Sequence, residues 1–185
     1  MYGMNAEEKN SDTKLKNYNP PDWDELFMRH AYLIATKSKD RHTKIGAVLV
    51  KNKSVISEGY NGLIRNVNDF IEERWDRPEK YYWCEHAERN ALYNCAREGI
   101  KTEGSILYCF GLPCADCCRG LIQCGVEKII THKQWEEIGI NKNNPKWIES
   151  TARSLTMMRE AKVELVSLNV HLYVKTYVDG KEYIV

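Results

Sequence analysis

The sequence predicts an α/β protein, a three-layer α/β/α sandwich around a mixed five-stranded sheet, with a β-hairpin added at its C-terminal end. Three observations carry that expectation. Short β-branched runs and stretches of helical periodicity follow a first helix in the order β-β-α-β-α-β-α-β, which places one sheet between helices. The tail "VHLYVKTYVDGKEYIV" alternates apolar and polar residues about Asp179-Gly180, a pair suited to a type I′ turn. At 185 residues, 43% apolar and 29% charged, the chain is long enough for a core without staples.

Taken in order, residues 1–19 are polar and read as a loosely ordered, flexible arm. Pro20 and Pro21 precede a helix capped by Asp22, with Trp23, Leu26, Phe27, His30, Ala31, Leu33 and Ile34 at helical spacing. "KIGAVLVKN" and "SVISEGYNG" form a hairpin around residues 51–53. Residues 63–82 make a long, polar, irregular stretch, of the kind that often forms a lid or binding loop. A helix over residues 85–97 ends at Gly99, the strand "SILYCF" follows, and a helix covers about residues 115–123. The strand "VEKIITH" leads to a second polar loop over residues 133–145, then a helix to residue 161 and the strand "VELVSL". The expected organisation is an arm over 1–19, a main domain over 20–168 and the hairpin extension over 169–185.

A net charge of +1 with no basic stripe argues against a nucleic-acid partner, since binding by counterion release needs clustered cations. No leader pattern and no apolar run of about 18 residues is present, so no membrane role is expected. Seven cysteines without a disulfide framework point to a reducing cytoplasm, where clustered thiols more often serve metal or catalysis.

Two stretches carry chemistry, "WCEHAERNALYNCAREG" at residues 83–99 and "GLPCADCCRG" at residues 111–120. Catalytic zinc takes three protein ligands and leaves a fourth position for water. His86, Cys114 and Cys117 supply three, although Cys118 shares a helical face with Cys114 and spacing alone does not choose between them. Each ligand group opens a helix, whose positive end favours thiolate over thiol. Glu88 has the wrong spacing for the same metal face and the right neighbourhood for general acid–base work. A purely structural zinc knuckle would want four protein ligands and leave Glu88 without a task. A thiol redox protein built on "CADC" would leave His86 and Glu88 unexplained.

"HAE" followed after 24 residues by "PCADC" resembles the zinc-dependent cytidine deaminase signature. With "TKIGAVLV" and "GYNG" preceding them in order, residues 24–168 resemble the deoxycytidylate (dCMP) deaminases. The resemblance implies the cytidine deaminase-like fold, zinc on His86, Cys114 and Cys117, and Glu88 as proton shuttle. It implies that Asn61 bonds the sugar and pocket and that the backbone at Ala87 meets the pyrimidine edge. The reaction would be hydrolysis of dCMP to dUMP and ammonia, feeding thymidylate synthesis. A homohexamer, dCTP and dTTP as effectors, and Mg2+ with an effector nucleotide are further implications. Relatives often carry a Pro and a Gly after "GYNG", associated with effector binding, whereas this chain reads "GYNGLIRN". Some place a Cys directly before the histidine, where this chain has Glu85.

Arg41 and Lys44, entering the first strand, are candidates to grip a monophosphate. Trp135 either closes over substrate or anchors its loop; Arg65, Arg74 and Arg77 either reach effector phosphates or are solvated. His30 reads as a core or interface residue and His42 as surface, while His132 ends a strand near the expected rim. The alternatives to dCMP are another cytosine nucleotide, such as dCTP or a 5-modified dCMP, and a catalytically silent nucleotide-binding relative.

Overall fold

Asp22 caps the first helix, α1 (Trp23–Ala35), by accepting the Glu25 amide at 2.8 Å. The computed structural model describes residues 20–138 and 144–185, so the arm expected over residues 1–19 lies outside the described residues. The strands β1 (Gly46–Lys51) and β2 (Ser54–Tyr60) pair antiparallel across a turn at Asn52 and Lys53, both at positive φ as a type I′ turn requires. Beyond β2, β3 (Gly62–Leu63) pairs with β4 (Cys84–Glu85), closing the long polar stretch into a loop.

That stretch is less irregular than its composition suggests. It holds a 3-10 turn at Glu72–Trp75 and a short helix, α2 (Lys80–Trp83). Trp75 is buried and donates its indole N–H to the Asp69 carbonyl at 3.0 Å, which anchors the segment from within. The next helix, α3 (Ala87–Glu98), starts two residues later than its periodicity implied, because Glu85 pairs with Gly62 and His86 is extended. Gly99, at φ 69°, ends it in the left-handed conformation.

There follow β5 (Ser105–Cys109), α4 (Ala115–Gln123), β6 (Val126–His132), α5 (Lys133–Ile138), α6 (Pro145–Glu160), β7 (Glu164–Leu168), β8 (Lys175–Val178) and β9 (Lys181–Ile184). The expected second loop is therefore helical at its start. Trp135 and Ile138, three residues apart, bring one face of α5 onto the core, a contact too short to register as periodicity.

The main sheet has the order β2-β1-β5-β6-β7. β1 runs antiparallel to both its neighbours, while β5, β6 and β7 are parallel. This is the mixed five-stranded sheet the sequence predicted. Alternation along β1 feeds two cores: Val48 and Val50 join Phe27, Tyr32 and Phe110, while Ala47 and Leu49 join Ala91, Cys118 and Leu121. α3, α4 and α6 cover the second face. α1 shares the first with the C-terminal hairpin β8–β9, whose Val178 is buried beside Leu172 and Val185. Two backbone bonds fasten the hairpin to residues 40–45, Lys44 N to Tyr177 O at 3.1 Å and Gly180 N to His42 O at 2.8 Å. Among the described residues no helix is long and apolar enough to cross a membrane.

Gly59 sets how closely α3 lies on β2. A Cβ there would stand 2.5 Å from the Ala91 nitrogen and closer still to the Ala87 carbonyl oxygen, both backbone atoms that cannot step aside.

Candidate metal and catalytic site

His86 and Cys114 occupy equivalent places, each the N-cap residue of its helix in an extended conformation (φ −81°, ψ 153° and φ −65°, ψ 166°). Neither spends its side chain on capping, so imidazole and thiol project from the helix starts toward each other. His86 Nδ1 lies 3.5 Å from Cys114 Sγ and 3.4 Å from Cys117 Sγ. Zinc bonds of about 2.0–2.1 Å to nitrogen and 2.3 Å to sulfur, arranged tetrahedrally, imply a nitrogen–sulfur separation of about 3.5 Å. Distances and donor types therefore fit that ion.

Cys118 is turned away, its thiol donating to the Ser154 carbonyl of α6 at 3.6 Å. One residue along a helix is a rotation of about 100°, and that rotation separates the two neighbouring thiols.

The charges are arranged for an ion. Donation from Cys117, then bonding to His86, draws the Cys114 thiol down to about 4 against the opposing effect of burial. Cys117 is pushed up, because it donates its proton to Cys114 and is buried. Glu88 Oε2 lies 3.7 Å from Cys117 Sγ. Burial raises the Glu88 carboxyl above the usual carboxylate range, with the His86 charge acting in the opposite direction.

Two neighbours to which the sequence assigned no role, Glu85 and Arg89, hold this group in place. Arg89 donates Nη1 to Cys117 Sγ at 3.5 Å and Nε to Glu85 at 2.7 Å. Glu85 also accepts the His86 amide at 2.9 Å. Burial pushes its carboxyl up, but the bonds from Arg89 and the His86 amide outweigh that and hold it low. The i,i+4 spacing of Glu85 and Arg89 was the legible signal for this pair. Ser150 Oγ accepts the Ala115 amide at 2.8 Å, and nothing in the sequence links that distant helix to the site.

Ala87 is fully buried in the first turn of α3, next to both His86 and Glu88. Asn61 donates Nδ2 to Thr43 O at 2.8 Å and to Asp40 at 3.1 Å, and its Oδ1 accepts the Ile45 amide at 2.8 Å. Both Nδ2 hydrogens are thus spent within the chain. Arg41 is exposed and paired with Glu72, while the Lys44 ammonium lies 5.6 Å from the Tyr177 ring centroid. Trp135 is buried under Gly111, where a Cβ would come within 2.6 Å of its ring. Arg65 bonds Asn94, and Arg74 and Arg77 lie over Trp83 and Tyr81, so all three have partners within the chain. His30 pairs with Glu58 at 2.8 Å.

Residues 21–133 match the family model described as the cytidine and deoxycytidylate deaminase zinc-binding region. ComE operon protein 2 of Bacillus subtilis is 32% identical over 110 residues, 58% of this chain and 57% of that protein. Deoxycytidylate deaminase of Homo sapiens is 32% identical over 117 residues, 59% of this chain and 64% of that protein. The chain spans less than two thirds of the length of either relative. A crystal structure of dCMP deaminase from the cyanophage S-TIM5, in complex with dCMP and dUMP, superposes with a TM-score of 0.62 at 25% identity, covering 82% of this chain and all of that one.

Proposed function

The chain belongs to the cytidine and deoxycytidylate deaminase family, and we propose that its reaction is hydrolytic removal of the C4 amino group of dCMP, yielding dUMP and ammonia. The observation that carries this reading is the convergence of His86, Cys114 and Cys117 with a buried Glu88 alongside. The likeness to a structure that holds dCMP and dUMP supports the choice of substrate.

His86 Nδ1 and the thiolates of Cys114 and Cys117 would hold zinc, which when bound supplies a Lewis acid able to bring the pKa of a water toward 7. The chain's own groups do the rest. Glu88, with its raised affinity for a proton, takes one from the attacking water as the C4–O bond forms and places it on N3 of the ring. It then passes the remaining hydroxyl proton to the amino group; the C4–N bond breaks, ammonia leaves, C4=O and N3–H remain, and Glu88 ends as it began. Arg89 keeps the Cys117 sulfur oriented, and Glu85 fixes both Arg89 and the His86 amide. Asn61 meets the sugar, the Ala87 backbone meets the base edge, and Arg41 and Lys44 hold the phosphate. For Arg41 this requires release from Glu72, which is a small cost for an exposed pair.

Assembly as a homo-oligomer, control by dCTP or dTTP with Mg2+, supply of dUMP to dTMP synthesis and a cytoplasmic setting belong to the same proposal and rest on family resemblance. The deciding experiment is ammonia release by zinc-loaded protein offered dCMP, deoxycytidine and dCTP in parallel. Preference for dCMP is expected. Equal turnover of deoxycytidine would overturn the phosphate grip, and no turnover of any would overturn the enzyme reading.

A further inference from the structure

Asp40 is a carboxylate where a carboxylate is costly, only 1% exposed at the base of the turn between α1 and β1. Four donors compensate it: the amides of His42 at 2.8 Å and Thr43 at 3.3 Å, Asn61 Nδ2 at 3.1 Å, and the Lys80 ammonium. The Lys80 side chain is itself 12% exposed, so the pair sits largely out of water. The other two bridges between these regions, Lys39–Asp69 and Arg41–Glu72, are exposed and carry far less weight.

The four donors arrive from three stretches of chain, and each stretch leads to the site. Residues 40–45 carry Arg41 and Lys44. Asn61 directly precedes β3, whose Gly62 pairs with Glu85 beside His86. Lys80 opens α2, which runs through Trp83 into β4 and so to His86. A single buried charge pair therefore clamps the turn assigned above to the nucleotide to the strand that leads to His86.

We propose that Asp40 and Lys80 are positioning residues for the nucleotide side of the site, and that the 63–82 segment is through Lys80 a working part of it. The assignment rests on the dCMP reading for the ligand, not for the coupling itself. Removing one member strands the other's charge inside the protein, whereas a charge-preserving change does not.

The test uses the full, zinc-loaded chain with Asp40→Asn, Lys80→Met, Lys80→Arg and the double variant Asp40→Asn/Lys80→Met. Displacement of binding groups by an ångström is enough for large losses, so Lys80→Met is expected to raise KM for dCMP about tenfold or more, with kcat within about threefold and zinc content unchanged. Lys80→Arg is expected to restore KM, and the double variant to lose less than the product of the two single losses. Amide exchange gives a readout that needs no substrate: His42 and Thr43 should exchange faster in Lys80→Met and regain protection in Lys80→Arg. The double variant and Lys80→Arg strand no charge, so KM and amide exchange in those two answer the question even if a single charge-removing variant does not fold. Unchanged KM in Lys80→Met, or kcat and zinc falling together while KM holds, would overturn the proposal. If wild-type protein ignores dCMP, the functional reading falls instead, and amide exchange alone decides the coupling.

Discussion

On the proposed reaction Glu88 separates metal binding from turnover, because its carboxylate stands beside the His86, Cys114 and Cys117 group without belonging to it. Glu88→Gln is expected to keep stoichiometric zinc, measured by elemental analysis, and to lose about 10²–10⁴ in kcat. The two adjacent thiols make a sharper pair. Cys117→Ala removes a donor at 3.4 Å from His86 Nδ1 and is expected to leave the protein without tightly held zinc. Cys118→Ala removes the contact with Ser154 and some packing in the second core, and should retain the ion. At this scale most of the site was legible, since H-x-E and C-x-x-C fix residue types and helix starts. The choice of Cys117 over Cys118 came from the family resemblance and not from spacing, because both spacings suit a helix and only the rotation of α4 toward α3 separates them. Asp40 was illegible for another reason. Its partners Asn61 and Lys80 lie far along the chain, and a polar run marks a surface turn as readily as a buried hub.

Among the elements, the strands and main helices followed from periodicity, while short helices and contacts between elements did not. α5 is a single patch of apolar residues, Trp135 and Ile138, inside a polar stretch, too brief for a pattern to emerge. The hairpin announced itself through Asp179-Gly180, yet its seat against residues 40–45 was invisible, since alternation shows that a face is buried but not what covers it. Leu172 is fully buried in that cluster, so Leu172→Ala should cost about 2–5 kcal/mol in urea unfolding. Removing residues 169–185 as a test of assembly would strip a core wall, so loss of an oligomer after that truncation would reflect unfolding. Gly59→Ala drives a methyl into the backbone of α3, and about 1–3 kcal/mol of destabilisation is expected by the same measurement.

For the molecule as a whole, His132 links the sheet, α1 and the tail. Its Nε2 is 2.8 Å from the Val170 carbonyl and so carries the proton, which leaves Nδ1 to accept from the Tyr32 hydroxyl at 2.8 Å. Burial lowers the pKa of this histidine in the folded protein. The unfolded chain therefore takes up a proton below about pH 6.5 that the folded one resists. Stability from this group is complete above that pH and declines as the pH falls toward the lowered folded value. Thermal unfolding of wild type should weaken more steeply between pH 7 and 5 than that of His132→Gln. Chelation should also lower the melting temperature, since an ion bound only by the folded state stabilises it by mass action.

The bonds from the hairpin to residues 40–45 have a consequence for how such a protein changes over generations. The metal ligands stand on helices of one outer layer, while the turn assigned to the nucleotide is fastened to the tail in the other. Substitutions in the tail therefore reach the turn first and the metal site only through Asp40 and Lys80. On the proposed reading, a lineage would drift in the nucleotide it accepts sooner than in its chemistry.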